Sequence, residues 1–144
     1  MKVRLKRLMM IVLLVSVAPL SFGKPVTYEI DPNHTFPAFE ADHMGGLSLW
    51  RGKINSTSGE IILDKKNKTG SVNVVMEMLS IDFGHDEMNK RAKSDDMFDI
   101  EEFPQASYEG KLINFQDGAP TKVEGELTLH GITKNVDLEI KAFK

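Results

Sequence analysis

The 144-residue chain contains no cysteine. That excludes a disulfide framework, a lipid-attachment cysteine behind a leader and a cysteine nucleophile. It leaves export open, because a chain of this size can bury a core without covalent staples. A membrane-spanning run is missing too: the uncharged stretch between Arg7 and Lys24 has 16 residues and carries Pro19. A spanning helix needs about 20 apolar residues. There is no glycine loop of the kind that cradles phosphates and no Gly-x-Ser-x-Gly elbow. The four histidines, His34, His43, His85 and His130, form no close His-x-His or His-x-x-x-His pair. A metal centre is therefore not expected from their spacing, although imidazole is a common ligand for zinc, copper and nickel.

Basic charge is scarce beyond the first residues. Lys2, Arg4, Lys6 and Arg7 precede a stretch from Leu8 to Leu20 that is apolar apart from Ser16 and Pro19, and Ser21-Phe22-Gly23 follows. This is the layout of a secretory signal peptide over residues 1–23, with cleavage near Gly23/Lys24. Its removal leaves 121 residues, 24–144, one domain by size. Fourteen basic residues then face 21 acidic ones, a net charge of −7. Phosphate-rich partners would be repelled, so nucleic acid and anionic membrane surfaces are not expected, nor is stable membrane insertion after cleavage. The expected compartment is the bacterial periplasm or the exterior.

What is abundant is alternation. Val136, Leu138 and Ile140 alternate with Asp137, Glu139 and Lys141, which predicts a strand with one apolar and one wet face, ending or bulging near Lys141. Val123, Gly125, Leu127 and Leu129 alternate with Glu124, Glu126, Thr128 and His130 in the same way. Ser71 to Ile81 predicts a strand with Val72, Val74, Met76 and Met78 on one face. Thr35 to His43, Ser48 to Leu63 and Gln105 to Phe115 are further strand candidates. The long one is expected to bend among the small residues Ser56 to Gly59. Asp64 to Gly70, Asp117-Gly118-Ala119-Pro120 and Gly131 are turn signals. One helix is expected from about Asp86 to Lys93, with acids at its start and bases at its end. Six strands, hairpin-length loops and one excursion predict an all-β antiparallel barrel or sandwich.

Five short motifs add to this pattern: Asp31-Pro32-Asn33-His34-Thr35-Phe36, Asp42-His43-Met44-Gly45, Gly52-Lys53-Ile54, the run from His85 to Phe98 with Phe103-Pro104-Gln105-Ala106, and Leu127-Thr128-Leu129-His130-Gly131-Ile132-Thr133-Lys134. In this order, from about Tyr28 to Ala142, they resemble the YceI-like family of periplasmic polyisoprenoid-binding proteins. The resemblance implies an antiparallel, lipocalin-like β-barrel of about eight strands, with an apolar lumen that holds an isoprenoid, quinone-like or fatty amphiphile. It also implies further strands after Ala142, so the expectation is a barrel lacking the family's last strands, a fragment or a shortened variant. The segment Thr133–Ala142 would then be an open edge, suited to homodimerisation or strand addition.

The expected lumen residues are Phe36, Ile54, Val72, Val74, Met76, Met78, Leu127, Leu129, Val136, Leu138 and Ile140, with Trp50 and Phe98 near an entrance. Met76 and Met78 are flexible and polarizable, suited to a long tail. From pattern alone an ordinary packed core is the favoured reading of this set; only the resemblance reverses that in favour of a lumen. His43, Arg51 and Asn73 are candidates for orienting a head group at the rim. No catalytic residue and no cofactor other than the bound amphiphile is expected. Ser94 and Asp95 with a histidine make a triad only on paper, since a triad is recognised by geometry. The alternative to a carrier is a secreted β-sheet interaction module that acts through its open edge without lipid.

Overall fold

A computed structural model of the protein describes residues 23–143. The signal-peptide expectation thus lies outside the described residues except at Gly23. Among these residues the architecture is antiparallel β with one short helix, in ten strands rather than six. A large sheet comprises β1 (Val26–Glu29), β4 (Thr57–Asp64), β5 (Thr69–Glu77), β7 (Gln105–Gln116), β8 (Ala119–Leu129), β9 (Ile132–Asn135) and β10 (Leu138–Glu139). Its order is β1-β4-β5-β7-β8, with β9 and β10 both on the far side of β8. A small sheet holds β2 (Ala38–His43), β3 (Ser48–Ile54) and β6 (Ile81–Asp82) in the order β2-β3-β6. Among the described residues no strand ladder joins the two sheets.

Two hairpins of the large sheet turn on two residues each. Asp117-Gly118 joins β7 to β8 and His130-Gly131 joins β8 to β9, with φ of 49° and 81°, and 51° and 69°. Positive φ at both central positions gives the turn twist that matches the strands.

The run from Ser48 to Leu63 breaks at Asn55-Ser56, where the chain passes from the small sheet to the large one. The run from Ser71 to Ile81 makes the reverse passage. It leaves β5 at Glu77, turns through one 3₁₀ turn (Met78–Ser80) and enters β6. This corner is pinned by Met78 N–H donating to the Pro104 carbonyl at 2.9 Å and Ser80 Oγ donating to the Glu77 carbonyl at 2.7 Å. Met78 and Ile81 are buried on either side of an exposed Leu79, so the corner keeps the apolar pair inside while the chain changes sheets.

The most regular alternation in the sequence does not form one strand. Val136 to Ile140 yields only the two-residue β10, preceded by β9. The register on β8 is nevertheless continuous: Asn135 sits opposite Glu126 and Leu138 opposite Val123, with Val136 N–H donating to the Gly125 carbonyl at 2.8 Å. The interruption falls where the Val136 carbonyl accepts a hydrogen bond from the Tyr108 hydroxyl at 2.8 Å. Gly125 makes room for it, since a Cβ there would stand 2.6 Å from the Tyr108 oxygen.

Helix α1 (Asp86–Lys93) has the expected bounds. His85 caps it, Nδ1 accepting from Met88 N–H at 3.3 Å, and Ala92 is fully buried against the core. The core cluster joins Leu63, Val72, Met76, Ala106, Tyr108, Leu112 and Val123 of the large sheet to Ile54, Met78 and Ile81 from the small sheet and the corner. Hydrophobic burial across the two sheets therefore holds them together where no ladder does.

Candidate functional site

A cavity of about 670 Å³ opens against this core. The large sheet supplies Val72, Val74 and Met76 from β5, Ala106 and Tyr108 from β7, and Leu127 and Leu129 from β8. Val136 and Leu138 close that wall. The facing wall is Phe36 to Phe39 with Ile54, Met78, Ile81 and, from the segment after α1, Phe98. Alternation explains the wall: inward positions on three neighbouring strands fall in register, Val74 opposite Tyr108 and Tyr108 opposite Leu127.

Eleven of the thirteen residues expected at a lumen line this cavity: Phe36, Ile54, Val72, Val74, Met76, Met78, Phe98, Leu127, Leu129, Val136 and Leu138. Two do not. Trp50 faces an aromatic box outside the cavity, with ring centres 5.6 Å from His43, 6.3 Å from Phe83 and 5.9 Å from His85. It lies on the inner face of β3, but toward the start of α1. Ile140 packs partly buried on the core beyond the cavity, its N–H donating to the Thr121 carbonyl at 2.9 Å.

Sequence reasoning missed Tyr108, Ala106, Phe39, Ile81 and, around Phe36, the residues His34, Thr35, Pro37 and Ala38. Ala106 and Tyr108 were legible in principle, because they alternate with Gln105, Ser107 and Glu109 at the strand period. The approach to β2 carries no periodic signal, so only Phe36 in it was singled out.

The cavity has few polar groups. His34 and Thr35 mark its edge, beside Phe36, which is 47% exposed. His34 Nδ1 lies 2.7 Å from Asp31 Oδ2. That contact, with a hydrogen bond from the Asn33 backbone, holds the Asp31 carboxyl below its usual pKa. The Tyr108 hydroxyl is already spent on Val136, and burial, with the Asp137 charge, pushes its pKa up. A large apolar surface edged by His34 and Thr35, with its Tyr108 hydroxyl already bonded, can hold a hydrocarbon.

The residues proposed for a polar rim lie elsewhere. His43 bonds Ser48 Oγ at 2.9 Å near the hairpin turn between β2 and β3. Arg51 pairs with Glu40 at 2.7 Å on that hairpin's outer face. Asn73 lies on the opposite face of the large sheet, where a polar hollow of about 920 Å³ is lined by Glu109, Lys111, Glu124, Glu126 and Asp137 among others. Those charges make the hollow the larger space but the poorer host for a hydrocarbon. Ser94, weighed as a nucleophile, caps the end of α1, its Oγ donating to the Arg91 carbonyl at 2.8 Å. The His130 ring lies tilted against Phe103, ring centres 4.5 Å apart.

Comparison with known proteins agrees with this architecture. The family model of the YceI-like domain matches residues 28–144. A UPF0312 protein of Vibrio campbellii is 34% identical over 124 residues, covering 83% of this chain and 65% of the relative. Protein YceI of Escherichia coli is 34% identical over 117 residues, covering 79% of this chain and 60% of the relative. The chain thus spans less than two thirds of the length of these relatives. Among solved structures, the YCEI protein of Campylobacter jejuni superposes with a TM-score of 0.58 at 24% identity, over 80% of this chain and 68% of that one, a likeness of fold.

Proposed function

The chain belongs to the family of YceI-like domains, and on that premise we propose that it is a non-catalytic carrier of a long-chain amphiphile. Its ligand would be an isoprenoid, quinone-like or fatty lipid, held in the apolar cavity and escorted through the periplasm after export. The observation that carries this reading is the cavity itself: about 670 Å³, with walls from both sheets that are nearly all apolar. That volume falls within the ~300–1,000 Å³ typical of small-molecule sites. Met76 and Met78 adapt to an irregular tail without a fixed shape.

Hydrophobic capture is sufficient chemistry. Burying a CH₂ group contributes about 0.8 kcal/mol, so ten carbons offer about 8 kcal/mol before ordering costs. Carbons beyond the tenth supply the burial that offsets those costs, so micromolar affinity needs no charged anchor.

Native mass spectrometry with solvent extraction, on chain purified from periplasm, tests the proposal. The expected result is a discrete excess mass that extracts as an isoprenoid or fatty amphiphile. A bare mass would overturn it. A bare mass in a dimer would favour strand addition at the Thr133–Ala142 edge instead.

A further inference from the structure

Three of the most exposed large apolar side chains of the described residues sit together at one hairpin tip. Leu47 is 76% exposed, Met44 73% and Leu49 54%. The tip joins β2 to β3 through Met44-Gly45-Gly46-Leu47, and all four of these residues are uncharged. It is a built turn: Gly46 N–H donates to Asp42 Oδ1 at 2.6 Å, and His43 bonds Ser48 Oγ at 2.9 Å. The φ angles at 44, 45 and 46 are 57°, 66° and 91°, three left-handed residues in a row. The two acids of β2 each have a partner, Asp42 the Gly46 amide of the turn and Glu40 the Arg51 side chain.

We propose that this tip docks the protein peripherally on the interfacial layer of a lipid bilayer with uncharged or zwitterionic head groups. Two arguments select that partner. Three side chains, two on the turn and one on the adjoining strand, are far short of the ~800 Å² per partner that a stable protein interface buries. A bilayer needs no complementary surface and accepts small apolar wedges. Electrostatics then selects the lipid: 21 acids face 14 bases over residues 24–144, so an anionic surface repels the body that the tip would bring to it. The hairpin also links tip and cavity, since Ala38 and Phe39 at its other end line the cavity. Five residues of strand place them about 17 Å apart. The docking stands on the tip alone; its use in loading or unloading a ligand rests on the carrier reading.

The test uses the full chain, as the cell yields it, and phosphatidylcholine vesicles. The chain has no cysteine, so Leu47→Cys can carry one environment-sensitive fluorophore, with Asn73→Cys on the outer sheet face as its control. On adding vesicles the label at position 47 should shift to the blue and be quenched by lipids carrying a quencher in the acyl region. The label at 73 should not respond. In flotation without labels, the variant Met44→Asn/Leu47→Ser/Leu49→Thr should bind at least about tenfold more weakly. These replacements suit the left-handed position and the strand, and urea unfolding checks that the fold persists.

Equal binding of parent and variant, an unresponsive label at 47, or binding that requires anionic lipid would overturn the proposal. So would a dimer that the variant abolishes, which would make a second copy the occupant. Extraction of the same preparation keeps the two readings apart. Amphiphile without vesicle docking sinks the docking alone, and docking without amphiphile sinks the carrier alone.

Discussion

Met76 is buried, lines the cavity and sits between Thr57 and Ala106 in the cross-strand row. Glu139 is exposed on β10 and paired with Lys141. Met76→Arg should abolish amphiphile retention, because an unpaired charge in an apolar site is costly. Glu139→Arg should leave retention intact, having lost only a surface ion pair. Extracted lipid per protein is the readout, and equal loss from two folded variants would overturn the inward and outward assignment. Period-two reading put both residues on their correct faces. It could not show that Tyr108 would reach across Gly125 to Val136, because that contact joins residues 28 apart. Trp50 was misread for a related reason: a large aromatic on an inward face goes wherever the opposing element leaves room, here a box of His43, Phe83 and His85.

At the scale of elements, α1 shows how little secondary structure says about docking. Its bounds follow from acids at the start, bases at the end and a polar cap. What ties it to the sheet is Asn89, whose Oδ1 accepts from Phe83 N–H at 2.6 Å and whose Nδ2 donates to Asp82 Oδ1 at 3.0 Å. Asn89→Ala removes both bonds and leaves the part-buried Phe83 amide unpaired. A loss of about 1–2 kcal/mol is expected, seen as a lower urea midpoint at unchanged slope. An unchanged midpoint would mean that α1 is held by Ala92 packing alone. The corner from Glu77 to Ile81 was equally hidden. Its sequence continues the strand alternation, whereas the bonds that pin the corner include one from Met78 to Pro104, distant in the chain.

For the whole molecule, charge sets the response to acid. Asp31, Asp64 and Asp82 all have pKa values held below the ordinary 3.8, by hydrogen bonds chiefly from His34, the Asn67 backbone and the Gly84 backbone respectively. Glu139 is held below 4.5 by Lys141. Depressed carboxylates contribute stability above their unfolded values and lose it as pH falls through the folded ones. Lys122 works in the other direction. Asp137 at 2.7 Å raises its pKa above 10.5, so its contribution is full below that value and fades as pH rises through the folded one. Thermal midpoints should therefore be level, as far as these groups decide, from about pH 5 to about pH 10 and decline below pH 4. A steady rise in stability down to pH 3 would show that these bonds do not persist in solution.

The sequence by itself determined the antiparallel strand class, the hairpin turns at Asp117-Gly118 and His130-Gly131, the extent of α1 and the family. Each is written in local chemistry: side-chain alternation, positive-φ residues, capping groups and short ordered motifs. Tertiary structure decided which apolar faces share a cavity, where two long runs change sheets and why the Val136–Ile140 strand is interrupted. Those outcomes depend on groups far apart in the chain meeting in space, Met78 with Pro104 and Tyr108 with Val136. Periodicity tells which side of a strand is apolar, whereas the packing of one sheet on another decides what that side encloses.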